Sequence, residues 1–342
     1  MYRPIKSSQR AFDAAGSSGL AFLESQLELI KPKLIEPLEA ITHPRDVPVE
    51  VGGGFPEFVS AFAANYGSPA TGLYGMQGTA NTEISTVSAD IQKGVFRTVD
   101  WACAMVVRYL DLQRMETAAR LGIPPPISLQ QLYEKGIRLT WNKALDYVAY
   151  KGFPTALTAL GTYGLINNAN APEFTVSGGT WLSKLSTPTS ILTDVNTAIE
   201  TIMSNSAYDI ERGMPNHMLV PWTQWGYLTN PMTLGGVGNG FNSIKDYIEK
   251  SCVAAASGTK FVIDPLPNPW ISGAGSGSPA TDRAVVYRND DDCLQLPIPQ
   301  VMTKGFTVPT DKNGGSWVTI YYGNIGQIVW KRNQTIIYMD GV

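Results

Sequence analysis

The chain has 342 residues, of which 44% are hydrophobic and only 16% charged, with a formal net charge of −3. That length exceeds the roughly 250–300 residues at which one hydrophobic core stops growing, so two lobes are expected. A charged fraction below the roughly 25% of ordinary soluble domains suits a subunit that rests against copies of itself, because interface centres are depleted in charge. The slight acidity excludes a protein that neutralises nucleic-acid phosphates, which needs a basic face.

Residues 1–19 are small, polar and mildly basic (Arg3, Lys6, Arg10) and read as a flexible arm. Leu20, Leu23, Leu27 and Ile30 then recur at helical spacing until Pro32 ends the run. From Asp46 to about Asp111 the chain alternates between turn chemistry ("VGGGFPEF", "NYGSPATGLYGMQGTAN") and β-rich stretches ("EISTVSADIQ", "VFRTVDWACAMVVRYL"). This predicts a long two-stranded excursion. An isolated hairpin is marginal in water, so it needs a surface to lie on, and a neighbouring subunit is the natural one.

"DLQRMETAARLG" predicts a short helix closed by Gly122. After three prolines, Ser128 and Gln131 have the spacing of a capping box. Leu129, Leu132, Tyr133, Ile137, Trp141, Leu145 and Val148 form one apolar stripe that Gly152 stops. At 1.5 Å per residue this helix spans roughly 35 Å. Gly136 inside it costs about 1 kcal/mol relative to alanine and suggests a close approach by another backbone.

"GLINN" (164–168) predicts a turn. A second helix follows, with Thr187 as cap, Pro188 in its first turn and Ile191, Leu192, Val195, Ile199 and Ile202 on one face. "NHMLVPWTQWGYL" reads as a buried strand entering a helix, "GGVGNG" and "ISGAGSGSPATD" as loops, and Phe241 to Ser251 as a helix. "TKFVIDPL" reads as a strand, and the terminal run "SWVTIYYGNIGQIVWKRNQTIIYMDGV" as a β-sheet turning at Gly323 and Gly326.

Catalytic chemistry lacks its parts. His43 and His217 stand in unrelated sequence surroundings, which leaves no HExxH zinc motif and no histidine-based triad. Cys103, Cys252 and Cys293 form no CxxC pair and no disulfide framework, in keeping with a reducing compartment. Phe241 stands where GxGxxG needs glycine, and Gly-Lys and GxSxG are absent. The acidic run "NDDDC" (289–293) reads as a solvated turn, since adjacent carboxylates diverge. Trp141, Trp181, Trp222, Trp225, Trp270 and Trp330 lack interleaved basic residues and read as core or interface packing. No catalytic, cofactor-binding or metal residue and no cofactor is expected. No run of about 18 apolar residues and no apolar signal segment occur, so the reading is a soluble protein.

The order of these elements resembles that of a family. The short helix before the long one ending in "YKG", then "YGLINN", "TWLSKLSTPTSILTDVNTAIETI", "PNHMLVPWTQWGYL", "AVVYRNDDDCLQLPIP" and "IIYMDGV" are similar to major capsid proteins of tailed bacteriophages with the Hong Kong 97-type fold. The similarity covers nearly the whole chain from about residue 20, and it rests on the order and spacing of motifs that are each weak alone.

The resemblance implies an α+β fold with an N-terminal arm (1–45), an extended E-loop with flanking strands (46–110), a peripheral domain (111–170 and 300–342, spine helix about 128–151) and an axial domain (171–299). It implies copies of itself as partners, in hexamers and pentamers that close into an icosahedral phage head around double-stranded DNA without sequence-specific binding. A separate scaffolding protein, a portal and, as an optional partner, a decoration protein would complete the head, with no membrane. The site would be the virion, assembled in the bacterial cytoplasm, and there would be no enzyme activity. Two other readings stand beside it: an encapsulin-like compartment shell, and a β-rich carbohydrate- or cell-binding protein suggested by the tryptophans and glycine loops.

Overall fold

The computed structural model describes residues 37–67, 88–120, 129–157, 162–234, 237–276, 280–310 and 315–342. The apolar run 20–30, the Ser128 cap and the Gly122 stop lie outside the described residues.

A single helical turn α1 (His43–Asp46) leads into β1 (Val49–Val51), β2 (Phe58–Gly67) and β3 (Ser88–Arg108). The helices α2 (Tyr109–Arg120) and α3 (Leu129–Lys151) follow, then β4 (Glu173–Thr175) and α4 (Pro188–Asn205). Next come the turn α5 (Ile210–Gly213), β5 (His217–Pro221), α6 (Trp222–Leu228), the hairpin β6 (Pro231–Leu234) and β7 (Val237–Ser243), and α7 (Ile244–Ser251). The rest is mainly strand: β8 (Val262–Leu266), β9 (Arg283–Tyr287), β10 (Leu294–Ile298), β11 (Gln300–Pro309), β12 (Ser316–Gly326), β13 (Val329–Trp330) and β14 (Ile336–Asp340).

Two sheets organise the chain. One is five-stranded and mixed, in the order β4-β14-β9-β5-β8, and the other is four-stranded, in the order β11-β12-β3-β2. The five-stranded sheet is buried on both faces, which explains the near-continuous apolar runs "HMLVP", "RAVVY" and "IIYMD". Strand alternation divides these residues between two cores. Met218, Val220, Ile263, Ala284, Val286, Ile337 and Met339 pack with the stripe of α4 and with α7. Leu219, Leu266, Val285, Tyr287, Ile336 and Tyr338 face the second core, which receives Trp141, Leu145, Val148 and Tyr150 of α3.

α3 also reaches the four-stranded sheet. Ile137 packs with Met105 and Tyr321, and Glu134 accepts hydrogen bonds from the Tyr321 hydroxyl at 3.2 Å and Lys304 Nζ at 3.4 Å. Its apolar stripe is not buried throughout, however. From Ile137 onward it is core, whereas Leu132 and Tyr133 remain 45% and 40% exposed. The helix stops at Gly152, whose φ of +73° suits glycine, and a Cβ there would fall 2.3 Å from the Thr162 carbonyl oxygen. At Gly136 a Cβ would meet nothing within 4 Å, so the close approach expected of that glycine is not made within the described part of the chain.

Three further expectations are altered. "GGVGNG" contributes Val237 to Gly240 to β7, paired with β6, rather than to a loop, and the helix expected from Phe241 begins at Ile244, capped by Ser243. Gly323 is no turn; it lies inside β12, opposite Trp101 of β3. Within 300–342, β11 and β12 join β3, and β14 lies in the five-stranded sheet beside β9 and β4.

Candidate assembly surfaces

β3 runs for 21 residues, about 70 Å at 3.3 Å per residue. Its second half, Thr98 to Arg108, pairs with β12 and belongs to the body. Its first half pairs with β2 in an unbroken register from Phe58↔Arg97 to Gly67↔Ser88. Residues directly opposite in an antiparallel pair share a face. Phe58, Phe62, Val95 and Ile91 therefore fall on one face of the hairpin, with Arg97 and Lys93 between them. All four apolar side chains are exposed, Phe62 at 70% and Ile91 at 72%. The opposite face, with Val59, Ala61, Gly94 and Phe96, lines a cleft of about 970 Å³ whose far wall includes Ser206, Arg212 and Arg332.

Other apolar side chains stand out from the body. Phe306 on β11 is 87% exposed and Val308, on the same strand, is also exposed. Leu132 and Tyr133 on α3 are exposed, and so are Tyr109, Leu110 and Leu112 on α2. A soluble monomer rarely leaves contiguous apolar area of this kind uncovered.

The residues considered for chemistry lie elsewhere. All three cysteines are free, and burial pushes the Cys252 and Cys293 thiols up. "NDDDC" is a turn: Asp290 accepts hydrogen bonds from Arg288 and from the Asp292 backbone, and Lys331 Nζ donates to the Asp291 carbonyl at 2.8 Å. Trp141 and Trp181 are core, and Trp225, Trp270 and Trp330 pack against the cores, but Trp222 is exposed.

The two histidines, unrelated in sequence, stand at either end of one buried network. His43 Nδ1 lies 2.6 Å from Asp146 Oδ1 on α3. Three residues on, fully buried Asp46 accepts from Arg45 Nε at 2.6 Å and from the Tyr150 hydroxyl at 2.5 Å, with His217 Nε2 at 3.6 Å. Burial and the Asp46 carboxylate push the Tyr150 hydroxyl far up, so it stays protonated, donating to Asp46 and accepting from the Thr42 hydroxyl at 2.6 Å. Burial opposes ionisation of Asp46, but the hydrogen bonds and charge around it win and hold its carboxyl below the ordinary range. The network fastens residues 42–46 to α3 and to the five-stranded sheet. Its members are so far apart along the chain that no motif spacing reveals them.

A second buried network was equally hidden. Arg283 on β9 forms a two-pronged pair with Asp340 on β14 at 2.7 and 2.9 Å, and also donates to Glu173 and to the Ile166 carbonyl. The one sequence signal for it was a charged residue at the end of each of two otherwise apolar strands.

Known structures share this architecture. The capsid of Myoviridae phage XM1 superposes with a TM-score of 0.72 over 93% of this chain and 98% of that one, at 12% identity. The protein of Gordonia phage Cozz matches over 99% of both chains with a TM-score of 0.54 and 13% identity. The capsid of the native GTA particle matches over 95% of this chain and 99% of that one, with a TM-score of 0.59 and 10% identity. At such identities the likeness establishes the fold, which is the Hong Kong 97-type capsid fold. A comparison with curated protein sequences finds no match. The model of the family described as "Major capsid protein" matches residues 75–342, most of the length, so the chain belongs to the major capsid protein family and is a structural capsid protein.

Proposed function

We propose that this protein assembles through pentamers and hexamers into the icosahedral head of a tailed phage, enclosing double-stranded DNA without gripping it. The carrying observation is the β2–β3 hairpin, whose apolar face (Phe58, Phe62, Ile91, Val95) is left exposed by the described chain. Laid over an adjacent subunit, that face would be buried, at roughly 1.5–3 kcal/mol for each large side chain fully covered.

In this reading residues 1–45 are the N-terminal arm and 46–110 the E-loop with its flanking strands. Residues 111–170, with β11 and β12, form the peripheral domain around the spine helix α3. Residues 171–299, joined by β14, form the axial domain. The net charge of −3 suits a wall that must let DNA enter and leave. Function resides in shape and contact, with no enzyme activity. Assembly takes place in the host cytoplasm with a portal and a separate scaffold, and the finished shell can carry a decoration protein. The family match favours this reading over a compartment shell or a carbohydrate-binding protein.

The test is direct. The purified chain, alone and with a candidate scaffolding protein, is concentrated and followed by sedimentation and negative-stain microscopy. Rings and closed shells are expected. A protein that stays monomeric or trimeric at high concentration in both preparations refutes the reading.

A further inference from the structure

Asp46 at the end of α1, His217 at the start of β5 and Asp264 on β8 each offer one ligand atom, and the three atoms lie within 4.8 Å of one another. The fold brings them together. β5 and β8 are parallel neighbours with His217↔Val262 and Leu219↔Asp264 in register, so His217 and Asp264 share the face on which α1 docks. His217 Nε2 is buried and has no hydrogen-bond partner. It stands 3.6 Å from Asp46 Oδ1 and 3.6 Å from Asp264 Oδ2.

That separation is too long for a hydrogen bond, and an unmatched buried polar group costs about 1–3 kcal/mol. It does match two atoms sharing one tetrahedral ion, since zinc bonds of about 2.0–2.1 Å set neighbouring ligands roughly 3.4 Å apart. We propose that Asp46, His217 and Asp264 form a zinc site: His217 binds through Nε2, each carboxylate through one oxygen, and water fills the fourth position. An imidazole among three ligands favours zinc over calcium or magnesium, which prefer six or more oxygens. The Tyr150 hydroxyl, on the other Asp46 oxygen, orients that carboxylate for the task.

Arg45 competes for the site. Its Nε donates to Asp46 Oδ1 and lies 3.7 Å from Asp264 Oδ2, while its Nη2 donates to Asp46 Oδ2 and to the Pro265 carbonyl. The Arg45 side chain is 38% exposed and stands at the rim, free to swing outward as the ion enters. Bound zinc would clamp the segment that leads in from the N-terminal region onto the five-stranded sheet.

The full chain, stripped of metal, is titrated with zinc by calorimetry and with cobalt(II) by visible absorption. One equivalent per chain and the spectrum of a tetrahedral cobalt site are expected. Asp264→Asn, whose side chain is 21% exposed where that of Asp46 is fully buried, threatens folding less and should weaken zinc binding by roughly tenfold or more. Arg45→Gln should tighten it by removing the competing cation, and Asp291→Asn in the exposed turn should leave it unchanged. Absence of a bound equivalent, parent-like affinity in Asp264→Asn, or no tightening in Arg45→Gln overturns the proposal and leaves the cluster as an ion-pair network.

Discussion

Gly323, in the middle of β12, lies beneath the indole of Trp141 on α3: a Cβ on residue 323 would fall 2.4 Å from Cζ3 and 2.6 Å from Cη2 of the ring. Directly across the ladder, Gly323 pairs with Trp101, whose ring meets Trp141 edge-on with centroids 5.1 Å apart at 75°. The missing side chain leaves a notch beside one tryptophan, and the second tryptophan fills it. This contact seats the long helix on the four-stranded sheet. Gly323→Ala must therefore displace an indole that is itself fully packed, at a cost of about 1–3 kcal/mol. Chemical denaturation should show that loss. Pairing the substitution with Trp141→Leu should cost less than the sum of the two single changes, because both act on one contact. Strict additivity would mean that the notch is not what holds the helix.

The Arg283–Asp340 pair gives a pH dependence with a definite sign. Burial by itself pushes the Asp340 carboxyl up, but the hydrogen bonds from Arg283 and Ser276 outweigh it and hold the group below its ordinary range. A carboxyl lowered in the folded state contributes stability that is complete above its unfolded value, about 3.9, and is lost as pH falls through the folded one. Arg283→Ala leaves the fully buried Asp340 without its cation and should cost about 3–5 kcal/mol at pH 7. Urea unfolding of parent and variant should show that gap narrowing as the pH falls toward about 4 and below, because burial raises the stranded carboxyl of the variant and neutralises it before that of the parent. A gap that stays constant into acid would show that Asp340 is not the charge at stake.

Local signals were legible where one residue type has one physical use. The Pro188 start and apolar stripe of α4, the strand "HMLVP" running into α6 and the Gly152 stop all appear as the sequence indicates. Glycines misled where their use is tertiary. Gly323 looked like a turn because the requirement it meets, room for an indole, belongs to a helix far away in the chain. Gly238 and Gly240 looked like a loop but sit in a strand whose pairing with β6 supplies what their own propensity does not. The stripe of α3 showed amphipathicity but not where its burial stops, because that depends on which sheet lies beneath each turn. The His43 and His217 environments were illegible for the same reason: the partners Asp146, Asp46 and Asp264 arrive from three different elements.

Gly136 has open space around it on an exposed stretch of α3, so alanine should simply improve helix propensity. Gly136→Ala is expected to raise the unfolding free energy by up to about 1 kcal/mol. Shell formation should be unaffected. If the variant is more stable yet fails to assemble, a neighbouring subunit's backbone occupies the space beside residue 136, and sedimentation read alongside thermal unfolding separates the two outcomes.

The hairpin face tests assembly apart from folding. Phe62 and Ile91 are mostly exposed, and cutting them back removes little that the isolated chain has buried. Phe62→Ser and Ile91→Ser should each leave unfolding stability within about 0.5 kcal/mol of the parent. Their effect belongs to the assembled state, where each large side chain that becomes fully covered contributes roughly 1.5–3 kcal/mol, repeated in every subunit of a shell. The double variant should therefore remain folded by circular dichroism and sediment as free subunits or small capsomers where the parent forms shells. Phe306→Ser on β11 is the companion measurement, since that side chain stands out just as far from a different strand. If the Phe62/Ile91 double variant builds normal shells, the apolar face of the β2–β3 hairpin is not an assembly contact, whatever Phe306 does.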